Sequence, residues 1–289
     1  MKKLASELVA KMSSLTALRS VEPAIRNTHS NLKYLGKTIS DLERDTGYDR
    51  SGSAIVIGAG PSLHRQDSIK QILASDNKCD LVCADGALPT CLRSGLVPDY
   101  VVTVDPHPSR IVRWFGDPKL DEAALARDDY FTRQDLDPHL GEYELARNSQ
   151  NIELVNKYGP QIKAVIATCA SAAVTLRCLE VGMELYWWNP LYDDITNPDS
   201  LARRMHKLNK VPCMATGGNC GSAAWVFANV VLKKKEIALV GMDFSYAPGT
   251  SVGKTQYFKA MPACSITWDL HPESFSITFP QFCCPALHD

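Results

Sequence analysis

A glycine-rich turn at residues 58–62 is the first feature of this sequence that can bind a ligand. It follows the apolar run IVI and contains Gly58, Gly60, Pro61 and Ser62. Glycines let a ligand approach the backbone, proline suits the first turn of a helix, and a serine hydroxyl can donate to an anion or cap a helix. Because a helix N-terminus attracts negative charge, the turn predicts a phosphate site between a strand and a helix.

The turn matches neither of two familiar nucleotide-binding signatures. Position 63 is Leu63, so the pattern is not G-x-G-x-x-G, and the Gly-Lys-Ser/Thr ending of a P-loop is missing. A tight turn without a ligand is the alternative interpretation.

Three aspartates come shortly after apolar runs, namely Asp85, Asp105 and Asp243. The carboxyl ends of parallel strands emerge at one edge of a sheet, so these side chains are expected to converge near Gly58. Carboxylate oxygens are hard ligands that suit Mg²⁺, which bridges substrate phosphates. A single aspartate at a strand end is also a common turn former or helix cap, but three in one topological position favour a site.

Other candidate binding residues lie in loops that follow predicted strands: His107, Arg110, Gly217, Gly218 and Asn219. His107 and Arg110 are predicted to contact a phosphate tail, with a solvated surface charge as the alternative for each. The glycine pair precedes Asn219, which can cap the next helix, as can Ser222.

The elements that must position these residues are short apolar runs that alternate with amphipathic stretches. Strands are predicted at 54–57, 81–84, 100–104, 164–167, 185–188 and 237–240, and helices at about 67–76, 87–94, 170–181, 199–208 and 219–234. The runs are rich in Val and Ile and lack strict polar alternation, as in a sheet that is covered on both faces. The fold class is therefore α/β, a Rossmann-like, doubly wound and mostly parallel sheet.

The chain is expected to hold one large domain with appendages. Residues 1–50 form an N-terminal helical cap, in which Leu32, Leu35, Ile39 and Leu42 indicate one of two helices. Residues 51–258 form the nucleotide-binding domain, with an irregular insertion at 106–160 on the ligand side. Residues 259–289 show neither helical nor strand periodicity and are interpreted as an irregular tail.

Composition limits the partners. The 31 Lys and Arg nearly balance 32 Asp and Glu, which argues against a nucleic-acid or membrane-surface partner. The run 233–235 of three lysines is interpreted as a solvated helix end. The sequence contains no apolar stretch long enough to span a bilayer. Its 10 cysteines include no CxxC pair, which favours buried free thiols and a reducing, cytoplasmic location.

Three blocks of this sequence together resemble a known family. They are GAGPSL at 58–63, CADGALPTCLRSGLVPDYVVTVDP at 83–106 and TGGNCGSAAWVFANVVLKKKEIALVGMDFSY at 216–246. The chain is similar to the 6-hydroxymethyl-dihydropterin diphosphokinase MptE-like family, which also includes the Maf flagellin glycosyltransferases. The middle block is also similar to thiamin pyrophosphokinases.

This resemblance implies a Rossmann-like fold and transfer chemistry on a nucleotide. It implies that Gly58, Gly60 and Ser62 contact phosphates, that Asp85 and Asp105 are metal or substrate carboxylates, and that the facing wall is lined by Asn219 and Asp243.

Three functions stay open at this point. The first is transfer of diphosphate from ATP, with Mg²⁺, to a small hydroxymethyl acceptor. The second is a Maf-type glycosyltransferase that uses a CMP-activated sugar. The third is a module that binds a nucleotide or sugar without turnover.

Overall fold

The computed structural model describes residues 21–42, 52–75, 78–127 and 144–244. The chain divides into two compact units. One unit comprises Met1–Arg19, Lys119–Arg147 and Asp243–Asp289, and the other comprises Ser20–Pro118 and Asn148–Met242. The predicted tail at 259–289 and residues 1–20 of the predicted cap lie outside the described residues.

A parallel sheet lies at the centre of the larger unit. Its strands are β1 (Ser53–Ile57), β2 (Asp80–Ala84), β3 (Tyr100–Thr103), β4 (Lys163–Ala167), β5 (Glu184–Leu191), β6 (Cys213–Ala215) and β7 (Glu236–Val240). The strand order is β6-β5-β4-β3-β2-β1-β7, and every pairing between these strands is parallel.

Helices precede β1 and lie between successive strands. They are α1 (21–31), α2 (Ser62–Arg65), α3 (Ser68–Ala74), α4 (Leu88–Arg93), α5 (Glu122–Arg127), α6 (Glu144–Tyr158), α7 (Ala172–Glu180), α8 (Leu201–Asn209) and α9 (Cys220–Val226). Shorter 3-10 turns cover Leu32–Tyr34, Asp85–Ala87, Ile111–Phe115 and Gly159–Gln161, and α9 continues as a π-helical turn over Phe227–Val231. In the described ranges, no helix is both long and apolar enough to cross a membrane.

Both faces of the sheet are covered, as the apolar strands predict. Ile55 and Ile57 of β1 belong to one buried cluster with residues of α4, α6 and α7. Ala54 and Val56, which alternate with them, belong to a second cluster with residues of α1, α8 and α9. The predicted α/β, Rossmann-like class is confirmed, and a helix is present in the N-terminal segment.

Strand β1 is where the order of the sheet changes. Strands β1 to β6 follow one another across the sheet, and β7 is then added on the other side of β1. In open α/β sheets, ligands bind outside the carboxyl ends of the strands at such a switch point. The glycine turn after β1 begins at this position.

The N-terminal segment differs from the prediction after residue 31. The helix expected through Leu32, Leu35, Ile39 and Leu42 is wrong, because α1 ends in a 3-10 turn and Leu35 is extended. Thr38 forms a parallel bridge with Trp187 of β5, so the chain here adds to the sheet. The Asp41 carboxylate accepts hydrogen bonds from the Thr38 N–H and hydroxyl and stabilises a turn in place of the helix.

Strand β6 and helix α6 were not anticipated. Strand β6 has three residues, too few to give an apolar pattern. Helix α6 has 15 residues inside the segment expected to be an irregular insertion, and Val155 of α6 is fully buried in the first cluster.

One lysine of the run at 233–235 is not solvated as predicted. Lys234 is 5% exposed, and its Nζ lies 2.8 Å from Asp80 Oδ2 at the start of β2. Lys235, its neighbour, is exposed.

We expect Lys234→Ala to lower the free energy of unfolding by about 1–3 kcal/mol, because it leaves a partly buried carboxylate without its cation. Lys235→Ala removes the same charge from an exposed position and should change that free energy by less than about 0.5 kcal/mol. Urea unfolding of both variants measures the difference. Equal effects would contradict the structural role of Lys234.

Candidate functional site

The glycine turn after β1 packs directly against the chain that leaves β7. Gly58 N–H donates to Val240 O (2.8 Å), and Gly60 N–H donates to Gly241 O (2.8 Å). A Cβ on Gly58 would overlap the Gly241 carbonyl oxygen, and one on Gly241 would overlap Gly58 O. Gly241 also has a φ of 65°, which favours glycine. Both glycines are therefore required by contact between two backbones.

The helix that follows this turn is short. Pro61 occupies the N-cap position and α2 has four residues from Ser62, with no side-chain cap bond at its start. A single turn carries only a small part of the dipole of a long helix, and Gly60 N–H already has an acceptor. Phosphate binding by Gly58, Gly60, Pro61 and Ser62 stays a prediction.

The glycine turn lies beside the residues that follow β2. A Cβ placed on Gly86 would lie 3.1 Å from Ala59 Cβ and 4.0 Å from Trp114 Cε2. Trp114 belongs to the 3-10 turn Ile111–Phe115 and is half-buried. An indole therefore lies close to two of the predicted strand ends.

Asp85 is a buried carboxylate that links β2 to β3. Thr103 Oγ1 donates to Asp85 Oδ2 (2.8 Å), and Gly86 N–H donates to Asp85 Oδ1 (2.7 Å). Asp85 is 6% exposed and Thr103 is fully buried. A carboxylate has about four lone-pair positions, so two neutral donors do not use its full capacity.

Burial raises the pKa of Asp85 from 3.8 to about 6. The two hydrogen bonds oppose this effect, and the charge of Asp105 adds to it. The parallel register of β2 and β3 places both carboxylates at the same edge of the sheet, as the sequence predicts.

Asp105 and the two polar residues after it form a local network. Asp105 is exposed, and its Oδ1 accepts the His107 N–H (2.8 Å). The His107 ring accepts at Nδ1 from Arg110 N–H (3.2 Å) and from Ser109 N–H (3.3 Å). The histidine therefore shapes this loop, and contact of His107 or Arg110 with a phosphate stays a prediction.

The carbonyl group that precedes Asp105 is also bonded. Cys169 Sγ donates to Val104 O (3.2 Å) and lies 3.1 Å from Tyr192 Oη, which in turn lies 3.5 Å from Val104 O. Burial raises the pKa of the Cys169 thiol to about 12, so it is a neutral donor at physiological pH. These contacts bring the ends of β4 and β5 to the Asp105 loop.

The TGGN segment has clear structural roles at the start of α9. Gly217 and Gly218 have φ values of 62° and 97°, which require glycine in practice. Asn219 is the N-cap, and its Oδ1 accepts Ser222 N–H (2.9 Å) while Ser222 Oγ accepts Asn219 N–H (3.2 Å). The predicted cap is confirmed. Nucleotide binding by Gly217, Gly218 and Asn219 stays a prediction.

The first residue of α9 reaches the buried carboxylate. Cys220 Sγ donates to Val102 O of β3 (2.9 Å), and the thiol is close enough to Asp85 for that carboxylate's charge to act on it. Burial raises the pKa of the Cys220 thiol well above its ordinary value, so the group stays protonated. The capped turn of α9 is thereby held beside the ends of β2 and β3.

The carboxyl edge of the sheet thus gathers the glycine turn, Asp85, the Asp105 loop and the start of α9. Asp243 belongs to the smaller unit, so its place in the facing wall stays a prediction. Sequence reasoning missed Thr103 and Cys220 as site residues. Thr103 carries a usable signal, because a polar residue in a buried strand two positions before Asp105 lies on the same side.

A family model described as 6-hydroxymethylpterin diphosphokinase MptE-like matches residues 25–187, more than half of the chain. The chain belongs to this family. The matched range includes β1 to β4 with the glycine turn, Asp85 and Asp105, and ends within β5. The start of α9 and β7 lie beyond it.

Two further proteins are similar to this MptE-like chain. An uncharacterized protein of Treponema pallidum (strain Nichols) is 32% identical over 83 residues, which are 29% of this chain and 37% of that protein. The solved structure of a Maf glycosyltransferase from Magnetospirillum magneticum AMB-1 has a TM-score of 0.41 at 13% identity, over 67% of this chain and 23% of that one. The chain thus spans well under two thirds of either protein.

The donor set of this MptE-like site suits a metal that needs few protein ligands. In the described part of the chain, no group of three or more His, Cys, Asp or Glu side chains is arranged to hold an ion. Mg²⁺ commonly uses one or two carboxylates, with waters and substrate phosphates as its other ligands. Asp85 and Asp105 are two such carboxylates at the carboxyl edge, and Mg²⁺ binding by them stays a prediction.

We expect Gly58→Ala to destabilise the MptE-like fold by at least about 2 kcal/mol, because the added methyl overlaps the backbone after β7. Gly36→Ala is the matched control, since a Cβ there meets no atom within 4 Å. Thermal and urea unfolding report both effects. Equal free energies of unfolding for the two variants would contradict this expectation, because they would show that the backbones after β1 and β7 can move apart without cost.

We expect burial of Asp85 to make stability depend on pH. Because its pKa is higher in the folded chain, at about 6, its contribution is fully present below about pH 4 and is lost as the pH rises through about 6. Relative to Asp85→Asn, the free energy of unfolding of the wild type should fall by about 1–3 kcal/mol between about pH 4 and pH 7. Parallel pH profiles for the two proteins would contradict the raised pKa.

Proposed function

We propose that this chain is a nucleotide-dependent transferase that moves diphosphate from ATP, with Mg²⁺, to the hydroxyl group of a small hydroxymethyl acceptor. The observation that carries the proposal is that two aspartates, Asp85 and Asp105, follow neighbouring parallel strands at the edge where the glycine turn lies, next to the switch point of the sheet. Membership of the MptE-like family supports the choice of diphosphokinase chemistry.

The reaction has a simple balance. The acceptor oxygen forms a bond to the β-phosphorus of ATP, and the bond from that phosphorus to the oxygen it shares with the α-phosphate breaks. AMP leaves with the electrons of that bond, and the acceptor keeps the β- and γ-phosphates. The hydroxyl proton passes to a carboxylate or to water. Such reactions depend on positioning and on neutralisation of the phosphate oxygens.

The two carboxylates would have different roles. Asp105 is exposed and can reach a substrate, so it would orient the acceptor hydroxyl and accept its proton. Asp85 is fixed by Thr103 and Gly86 and would hold Mg²⁺ together with Asp105. When bound, Mg²⁺ supplies charge that neutralises the phosphates.

The glycine turn and the polar residues around it would hold the nucleotide. Gly58, Gly60, Pro61 and Ser62 would lie along the phosphates, with His107 and Arg110 at their far end. Gly217, Gly218 and Asn219 would form the opposite wall. The indole of Trp114 lies next to Gly86 and offers an apolar surface close to these groups.

The test is release of AMP from ATP with Mg²⁺ and a hydroxymethyl-pterin acceptor. We expect Asp105→Asn and Asp85→Asn each to lower kcat by at least about 100-fold, the usual range for loss of a positioned acid–base group. Glu180→Gln is the control, because it removes an exposed carboxylate at the far end of α7, away from the carboxyl edge. Unchanged AMP release in both aspartate variants would refute the assigned roles.

A panel of nucleotides separates this proposal from its two rivals. A thermal shift with Mg²⁺-ATP larger than with CTP or CMP supports the diphosphokinase, since at equal concentration the ligand that binds the folded chain more tightly stabilises it more. Preference for CMP and CTP would favour a CMP-sugar glycosyltransferase of the Maf type. Binding without AMP or CMP formation, whatever acceptor is offered, would favour a module that only binds.

A further inference from the structure

The backbone on both sides of Asp105 is held by residues far away in the sequence. Asn27 of α1 donates through Nδ2 to Pro106 O (2.9 Å) and to Cys169 O (2.9 Å). An amide nitrogen has two hydrogens, so both are used in these bonds. Pro106 follows β3 and Cys169 follows β4, and Asn27 therefore ties the ends of two neighbouring strands together.

The carbonyl on the other side of Asp105 has its own donors. Val104 O accepts from Cys169 Sγ (3.2 Å), and Tyr192 Oη lies 3.5 Å from it. Cys169 thus contacts the backbone before Asp105 directly, because its thiol donates to Val104 O, and it is linked to the backbone after Asp105 because its carbonyl accepts from Asn27. The backbone is therefore held at Val104 and at Pro106, on either side of Asp105, while the Asp105 carboxylate remains exposed.

We propose that Asn27 is a positioning residue that sets where the Asp105 carboxylate lies at the carboxyl edge of the sheet. The proposal rests on the role given to Asp105 in the proposed function. Only a residue with two donors on one atom can join the two carbonyls in this way. Aspartate has the same shape but accepts only, and it would turn lone pairs toward both carbonyl oxygens.

Helix α1 also contains a matched control for this idea. Asn31, one turn later, donates through Nδ2 to Thr168 O (2.9 Å) and Ala170 O (2.8 Å). It is fully buried, and its Oδ1 accepts from Thr175 Oγ1 (3.0 Å). Asn31 therefore makes the same kind of double bond, but only within the turn after β4. Its loss should destabilise the fold at least as much as the loss of Asn27.

The first measurement is amide hydrogen exchange of peptides that cover residues 104–112 in the full-length protein. The His107 N–H in this segment donates to Asp105 Oδ1, so its protection reports the position of that carboxylate. We expect Asn27→Asp to speed exchange there about tenfold, as the loss of one or two hydrogen bonds implies, and Asn31→Asp less than about twofold. Asn27→Ala removes the donors without adding charge and should give the same direction if the aspartate variant is poorly folded.

The second measurement, by calorimetry, is the affinity of each variant for Mn²⁺, used in place of Mg²⁺, in the presence of ATP. Asn27→Asp is expected to weaken Mn²⁺ binding about tenfold, and Asn31→Asp less than about twofold despite an equal or larger loss of stability. If α1 contributed only general packing, the loss of Mn²⁺ affinity in each variant would instead follow its loss of stability.

Two outcomes separate this inference from the function on which it rests. Equal exchange at residues 104–112 in the Asn27 variants and the wild type, or an equal increase in Asn31→Asp, would overturn the positioning role. If exchange at residues 104–112 is faster in the Asn27 variants than in Asn31→Asp, Asn27 positions the loop. If Asp105→Asn then binds Mn²⁺ and ATP as the wild type does, the positioning role stands and the proposed function fails.

Discussion

The contact between the backbones of Gly58 and Gly241 is the constraint on which the carboxyl edge depends. These residues directly follow two parallel strands that are neighbours in space and far apart in the chain. Their hydrogen bonds, from Gly58 to Val240 and from Gly60 to Gly241, fix the level of the turn after β1. The turn then sets Ala59 against Gly86, and Gly86 lies next to the Asp85 carboxylate. A side chain at Gly58 would disturb this whole series of contacts.

The second determinant of the site is the difference between its two carboxylates. Asp85 is buried and receives only neutral donors, so its ionised form is disfavoured, and the charge of Asp105 disfavours it further. Asp105 is exposed and stays accessible to a ligand. A cation between them would favour ionised Asp85, which makes metal binding release protons and add to stability in the proposed enzyme. The two residues therefore suit different tasks although both follow parallel strands.

Much of the fold could be predicted because its signals are local. The apolar runs at 54–57, 81–84 and 164–167 became β1, β2 and β4, because a strand covered on both faces needs apolar residues at every position. The predictions that failed concern residues whose structure depends on contacts between distant segments. Thr38 joins the sheet through Trp187, and the buried Lys234 pairs with Asp80. In both cases the partner lies outside the local sequence pattern. Strand β6 was missed because three residues are too few to show a period.

The same distinction explains what could be predicted about the site. Glycine turns and strand-end aspartates are local signals, and parallel pairing alone brings Asp85 and Asp105 to one edge. Their environments are set by other parts of the chain, since Cys220 is 118 residues from the Val102 carbonyl and Asn27 is 79 residues from Pro106. A side chain needs two or three fixed neighbours to hold a reactive group in place, and in this fold they come from α1, β5 and α9. The sequence of the motif therefore predicts where a site lies, whereas the environment of its carboxylates also depends on residues outside the motifs, such as Asn27, Cys169 and Tyr192.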